Sequence, residues 1–172
     1  QYLQDFPNKK EVRYFITDMN KIWRDLASEY FPNATIVVDK FHVIRYVTWA
    51  LENVRKRVQK LLHPDKRKYF KRSRKLLLTH KYKLNKEGLQ ALEIMLLHSQ
   101  DLATAYHLKE LFYDFMDSST RAEAAKKLRF FILAAQANEL KEFHACLTML
   151  GNWSKYILNT FDCSYTNGYT KG

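Results

Sequence analysis

Residues 17–45 read TDMNKIWRDLASEYFPNATIVVDKFHVIR, and this stretch decides the fold of the chain. Just before it, apolar residues at positions 12, 14 and 16 alternate as in a β-strand, and residues 34–38 form the continuous apolar run of a strand buried on both faces. Between them, apolar residues recur at helical spacing up to Phe31, and Pro32-Asn33 marks the return to strand. The pattern predicts a βαβ unit with parallel strands and a right-handed crossover.

An acidic residue follows each predicted strand. Asp18 comes after the first strand and Asp39 after the second. Ligand and catalytic groups of parallel sheets lie at the carboxyl ends of the strands, so we expect the two carboxylates to face a common edge. Carboxylate oxygens are the ligands that Mg²⁺ prefers. The sequence therefore predicts a catalytic or metal-binding edge here.

Several phrases of the sequence occur together in one known family. They are Asp18-Met19, an aromatic residue at Trp23 or Tyr30, residues 31–34 (FPNA), residues 38–43 (VDKFHV) and, near the end, residues 167–172 (NGYTKG). In this order and separation they resemble the ISL3 family of bacterial insertion-sequence transposases. The last phrase is similar to that family's Asn-Gly-x-x-Glu-Gly motif, which carries the third acid of a DDE triad in a ribonuclease H-like fold.

The resemblance implies a role for each matching residue. Asp18 matches the second acid of the triad, while Asp39 and His42 match an auxiliary position, with Asp39 as the alternative second acid. Lys171 stands where the family has Glu, and the strand that carries the family's first Asp is not among the 172 residues. The intact family enzyme uses Mg²⁺ or Mn²⁺, held here by Asp18 and, as a further candidate, Asp39. We expect no metal bound to this chain and predict that it is inactive, because two-metal catalysis needs its full set of acids.

A second hypothesis needs no catalytic ancestry. Asp18 would then be a helix N-cap before Met19, and the chain a non-catalytic nucleic-acid-binding helical module. A carboxylate pair at adjacent strand ends favours the transposase, and a solvent-facing Asp18 remote from Asp39 favours the module.

The positive charge is concentrated in residues 40–84. This segment has fifteen Lys or Arg against Glu52 and Asp65, a net of +13, whereas the whole chain carries +11. Such a run with no acidic residues nearby suits the phosphate backbone of double-stranded DNA, and Tyr69 or Phe70 could stack on a splayed base. The alternative is a solvated helix face in which both aromatics are core residues. The predicted DNA contacts are Arg55, Lys56, Arg57, Lys60, Lys66, Arg67, Lys68, Lys71, Arg72, Arg74 and Lys75.

The rest of the chain has the periodicity of helices. Residues 41–62 form a long amphipathic pattern, Pro64 begins another helix, and Asn85, Ser99, Thr120 and Asn138 precede further ones, the last interrupted by Gly151. Five histidines, at 63, 80, 98, 107 and 144, lack metal-ligand spacing and are interpreted as surface or core residues.

The fold class that follows is α/β plus all-α, mostly helical. Residues 1–61 form a partial ribonuclease H-like βαβ unit with its following helix, residues 62–160 a helical insertion, and residues 161–172 the start of the third-acid motif. Two strands leave sheet edges to cover, and a homodimer is one way to cover them. No apolar run approaches the roughly 18 residues of a membrane span, so we predict a cytoplasmic, nucleoid-associated protein with no membrane partner.

Overall fold

The computed structural model describes residues 3–163; of Lys68, Tyr69, Lys71 and Arg72 it describes the backbone alone. Within these residues the strands are β1 (Tyr14–Thr17) and β2 (Thr35–Val38). The helices are α1 (Lys21–Tyr30), α2 (Lys40–Leu61), α3 (Pro64–Arg72), α4 (Arg74–Leu78), α5 (Lys86–Leu96), α6 (Gln100–Met116), α7 (Arg121–Ala137) and α8 (His144–Leu158). The chain is thus mostly helical with a small sheet, which confirms the predicted fold class. In this part of the chain no helix combines the length and apolar character needed to cross a bilayer.

The predicted βαβ unit is present. Strands β1 and β2 pair in parallel, with Tyr14 opposite Thr35 and Thr17 opposite Val38, and α1 connects them. The last three residues of β2 are buried, as the apolar run predicted for a strand covered on both faces. Helix α1 buries only Ala27 and leaves Ile22 and Trp23 exposed, so its apolar spacing does not mark a core face.

Helix α2 is the central element of the structure. It spans 22 residues, within one residue at each end of the predicted helix 41–62. Val43, Val47, Val54 and Val58 recur along one face and are buried in a core shared with the later helices, because α2 packs against α6 and α8. The predicted boundary at residue 61 therefore coincides with the end of α2, but a single hydrophobic core continues across it.

Polar caps start three of the later helices, α5, α6 and α7, where the sequence predicted. Asn85 Oδ1 accepts from the Gly88 N–H at 2.9 Å, Ser99 Oγ from Leu102 at 3.3 Å, and Thr120 Oγ1 from Glu123 at 3.2 Å. These bonds satisfy backbone donors that have no partner within the helix.

The last helix departs from the prediction. Asn138 does not begin it but ends α7, where its backbone N–H donates to the Ala134 carbonyl. A short 3₁₀ turn over Lys141–Phe143 follows, and α8 begins at His144. An Asn can cap either end of a helix, and the local pattern did not distinguish the two. Gly151 does not interrupt α8, where it lies on the exposed side.

The end of α8 connects the helices to the sheet. Asn159 Nδ2 donates to the Ile36 carbonyl of β2 at 2.7 Å, and Tyr14 Oη of β1 donates to the Asp162 carbonyl at 3.2 Å. These bonds hold the strand ends against the bundle and leave the residues that follow the strands at the surface.

A buried polar cluster stabilises the bundle away from the sheet. Lys109 is fully buried, donates to the Thr79 carbonyl at 2.9 Å and to Glu110, and lies over the ring of Tyr106 at 4.2 Å. Burial lowers the pKa of Lys109, although Glu110 opposes the shift. His80 is buried beside Glu110, and the other four histidines named above are exposed, in agreement with their interpretation as core or surface residues.

Candidate functional site

Asp18 lies at the surface directly after β1. The Thr17 hydroxyl lies 3.4 Å from Asp18 Oδ1, and the Asp18 side chain is exposed. Helix α1 is capped by Asn20 instead, whose Oδ1 accepts from the Ile22 N–H at 2.9 Å. The alternative interpretation of Asp18 as the N-cap is therefore wrong, because Asn20 satisfies the helix end.

Asp39 occupies the equivalent position after β2 but is used differently. Its backbone N–H donates to the Thr17 carbonyl at 3.0 Å, so the two strand ends are neighbours, as predicted. Its carboxylate turns to accept from the Phe41 N–H at 3.0 Å and caps α2. Asp39 lines a small cavity of about 50 Å³ beside Thr160, apart from the groove at Asp18. The two carboxylates therefore do not share the site that the sequence predicted, because Asp39 caps α2 and its side chain turns toward that helix.

An open groove of about 470 Å³ lies beside Asp18. One wall comes from the start of α1 and the other from the first turns of α2. His42, which the sequence paired with Asp39, faces this groove and shares it with Asp18. The side chains that matter for its chemistry are Asp18, Lys21, His42, Arg45, Tyr46 and Trp49. The groove thus combines one carboxylate, two cations, an imidazole and two aromatic rings.

The residues of this groove do not by themselves fit a two-metal centre. Across residues 3–163, no three His, Cys, Asp or Glu side chains come together in a way that could hold a metal ion. One carboxylate cannot fix two divalent ions, which need several hard oxygen ligands. Lys171, at the predicted third-acid position, lies outside the described residues.

Comparison with known proteins decides the family. A family model of ISL3-type DDE transposases, described as Transposase, matches residues 1–172. The chain belongs to this family. No curated protein and no solved structure matches it. Membership connects this ISL3 family member to DNA binding and transposition, and it suggests polynucleotidyl transfer with a divalent metal for the intact enzyme.

The basic segment of this ISL3 family member presents part of its charge to solvent. Lys56, Lys60 and Arg67 line an open pocket of about 300 Å³ where α2 ends and α3 begins. Arg67 also donates to the Lys60 and Leu62 carbonyls, at 2.8 and 2.9 Å, and so caps the end of α2. The remaining exposed cations of the predicted set are Lys66, Arg74 and Lys75, whereas the side chains of Lys68, Lys71 and Arg72 lie outside the description.

Two arginines of the predicted set are held by hydrogen bonds to carboxylates. Arg55 is only 5% exposed; it binds both oxygens of Glu52, at 2.9 and 2.6 Å, and donates to the Phe70 carbonyl. Arg57 donates to Glu142 at 2.6 Å and to Asp101 at 2.8 Å. The expectation that no acidic residue lies near the cluster is wrong, since Asp101 and Glu142 arrive from distant segments. Arg55 and Arg57 stabilise the fold and lie outside the exposed basic surface.

These contacts change the protonation of the acids involved. Burial favours the neutral form of Glu142, but the hydrogen bond and charge of Arg57 outweigh it and lower the pKa of Glu142. Glu52 behaves alike: burial opposes ionisation, yet Arg55 and Arg74 hold its pKa below the ordinary value. The Glu142 hydrogen bond is in turn the main reason that the pKa of Arg57 is raised. Both acids are therefore ionised partners of the arginines at neutral pH.

Phe70 is not available to stack on DNA. It is fully buried in the main core, so the alternative interpretation as a core residue is confirmed for it. The side chain of Tyr69 is not among those that the structure describes. Exposed aromatic rings occur instead on the first half of α2, at Phe41 and Trp49. The sequence carried a signal for them: Phe41, Arg45 and Trp49 are four residues apart and lie off the apolar stripe of the helix.

Proposed function

We propose that this chain contributes one catalytic acid, Asp18, and a DNA-binding surface to strand cleavage and strand transfer in transposition. The observation that carries the proposal is the position of Asp18. Its carboxylate stands free of helix capping, at the carboxyl end of a parallel strand, in an open groove with Lys21 and Arg45. Catalytic groups of parallel sheets lie at such ends, and the two cations attract a phosphate.

In this proposal Asp18 is the second acid of the triad and the residue that would hold Mg²⁺ or Mn²⁺. In an intact enzyme with its full set of acids, such ions would supply activation of the attacking oxygen and stabilisation of the leaving one. Asp39 is the weaker candidate, because its carboxylate already accepts from the Phe41 N–H. His42 shares the groove with Asp18 and is placed to contact a phosphate oxygen or a water molecule there.

We further propose that this chain alone does not cleave DNA. Lys171 stands in the motif where the family has its third acid. A lysine beside a metal-binding carboxylate repels the cation instead of holding it.

The DNA-binding surface of the proposal comprises the exposed cations at the end of α2 and on α3 and α4. Each Lys or Arg that neutralises a phosphate releases counterions, so this contact is independent of sequence and steeply dependent on salt. Arg55 and Arg57 are excluded because their guanidinium groups hydrogen-bond carboxylates at 2.6–2.9 Å, whereas Arg74 is 60% exposed, makes only a longer 3.6 Å contact with Glu52 and is kept. The residues are Lys56, Lys60, Lys66, Arg67, Arg74 and Lys75, together with Lys68, Lys71 and Arg72 from the sequence analysis.

The salt dependence of DNA binding tests this surface. We expect a variant with Lys56, Lys60 and Lys66 changed to Gln to bind duplex DNA with a slope of log Kd against log salt that is smaller by roughly 2–3 units. A matched control changes the exposed Lys86, Lys126 and Lys155 to Gln, which alters net charge equally at other positions. Equal slopes for the two triple variants would refute the proposed surface.

Nicking of supercoiled DNA with Mg²⁺ or Mn²⁺ tests the catalytic part. We expect no nicking by the unaltered chain. Lys171→Glu should strengthen Mn²⁺ binding in calorimetry, and a further Asp18→Asn change should reverse that gain. Nicking by the unaltered chain that Asp18→Asn abolishes would overturn the proposed inactivity.

A further inference from the structure

An aromatic and cationic stripe runs along the first half of α2. Phe41 is 62% exposed and Trp49 is 50% exposed. The guanidinium of Arg45 lies between them, 4.5 Å from the Trp49 ring centroid and 5.8 Å from that of Phe41. Val43, Val47 and Ala50, on the other side of the helix, form its buried face. The stripe is therefore not part of the core of residues 3–163.

The exposed rings of Phe41 and Trp49 lack the full stabilisation of burial, and the charge of Arg45 has no carboxylate partner among the described residues. Burying a large apolar side chain stabilises a protein, a gain that Trp49 realises only in part. Among the described residues Arg45 has no carboxylate within ion-pair distance, unlike Arg55 and Arg57. Planar guanidinium groups stack on aromatic faces and also bind phosphate. The exposed part of the Trp49 ring and the charge of Arg45 are thus both available to a ligand that is flat and anionic.

The stripe borders the Asp18 groove, which has the size and chemistry for such a ligand. Its volume of about 470 Å³ falls within the range of about 300–1,000 Å³ for small-molecule sites. Trp49 and Tyr46 form an aromatic wall, Lys21 and Arg45 supply positive charge, and Asp18 lies in the same groove. Inside duplex DNA each base is stacked on both faces, so an unpaired base offers Trp49 a free face that interior base pairs do not.

We propose that this groove binds an unpaired nucleotide at a DNA end, with the base stacked on Trp49 and the phosphate against Arg45 and Lys21. This inference rests on the proposed function only in taking DNA as the ligand. Its specific content is that the groove distinguishes unpaired from paired ends, which the basic surface of α2, α3 and α4 cannot do.

The test compares two DNA probes at one fixed salt concentration. One is a blunt duplex, and the other is the same duplex with a short 3′ run of unpaired thymidines. Because stacking of one base on an aromatic ring strengthens binding substantially, we expect the chain to prefer the overhang probe by about tenfold. Trp49→Ala should reduce this ratio of affinities to about one, and Trp49→Phe should keep most of it.

The matched control is Trp23→Ala. Trp23 is similarly exposed, at 46%, but does not line the groove, so the overhang preference should remain. Tryptophan fluorescence gives a second measurement: in a Trp23→Phe protein the remaining exposed tryptophan is Trp49, since Trp153 is buried. Oligothymidine should quench its emission. This quenching measurement tests binding at Trp49 even if Trp49→Ala fails to fold.

The outcomes separate the two proposals. Binding of neither probe would refute the proposed DNA surface. Equal binding of both probes, with a ratio that Trp49→Ala leaves unchanged and no quenching by oligothymidine, would refute the unpaired-nucleotide site while duplex binding stands. An equal loss of the overhang preference in Trp23→Ala and Trp49→Ala would also refute it, because the groove would then not be the cause.

Discussion

The two halves of α2 use arginine in opposite ways. In the first half, Arg45 lies over Trp49 and has no ion-pair partner among residues 3–163. In the second half, Arg55 is buried and bound to Glu52. The residue type and the helix are the same. The difference shows that a basic helix does not present a uniform charged surface, because neighbouring elements neutralise some of its cations and leave others free.

The physical consequence is a division of roles along one helix. A buried charge needs a partner with good geometry, and removing that partner is strongly destabilising. An exposed cation over an aromatic ring contributes only about 0.5–1 kcal/mol to the fold and keeps its charge for a ligand. Arg55 and Arg57 in the second half of α2 therefore stabilise the bundle, whereas Arg45 in the first half lines the groove.

Removal of Arg55 should give the largest effect. Arg55→Ala leaves the largely buried Glu52 with only its longer contact to Arg74, at 3.6 Å, and the Phe70 carbonyl without its donor. We expect a loss of about 3–5 kcal/mol in the free energy of unfolding, measured by urea denaturation. A double variant, Glu52→Leu with Arg55→Met, should recover most of that loss, because both charges are removed. A loss below about 1 kcal/mol for Arg55→Ala would contradict the structural role of this arginine.

Loss of the Glu142 charge should have an intermediate effect that depends on pH. Glu142→Gln should cost about 1–2 kcal/mol at neutral pH, since Arg57 keeps Asp101 as a partner. The folded-state pKa of Glu142 lies below its ordinary value, so the stabilisation is complete above the unfolded pKa of about 4.3 and is lost as the pH falls through the folded pKa.

Denaturation of both proteins between neutral and acidic pH measures this dependence. The stability difference between the unaltered chain and Glu142→Gln should shrink as the pH falls below about 4.3. Glu139→Gln is the matched control, because Glu139 is exposed and has no ion-pair partner in the described part of the chain. A stability difference that grows on acidification would show that the assigned direction of the shift is wrong.

Removal of Arg45 should change stability least. Arg45→Ala removes a half-buried cation–aromatic contact and should alter the free energy of unfolding by no more than about 1 kcal/mol. The same variant should weaken binding of the overhang probe more than that of the blunt duplex. A stability loss as large as that of Arg55→Ala would remove the distinction between the two halves of α2.

Local patterns predicted the elements of this fold well. The strand and helix order of the first unit, the long helix α2 and the caps at Asn85, Ser99 and Thr120 all depend on residues close together in sequence. The start of α8 could not be predicted, because Asn138 suits either end of a helix and a 3₁₀ turn intervenes.

The candidate site was predictable in its strand ends but not in its groove. Two parallel strands place Asp18 and Asp39 side by side, and the sequence pattern is sufficient for that. The direction of the Asp39 side chain is set by the backbone N–H of Phe41, and His42 and Asp18 come to line one groove because β1 and β2, which precede them, are paired. The Asp39 cap joins residues two apart in sequence and is a local pattern, whereas the shared groove depends on contacts in space that no spacing along the chain specifies.

The sequence by itself determined the family, the βαβ order and the concentration of positive charge in residues 40–84, because motifs, periodicity and composition are properties of the chain. Only the tertiary structure decided which of those charges are free. Asp101 and Glu142 reach Arg57 from 44 and 85 residues away, and Phe70 is buried in the core that the helices share. Neutralisation and burial depend on distances in space, and folding brings together partners that the sequence keeps far apart.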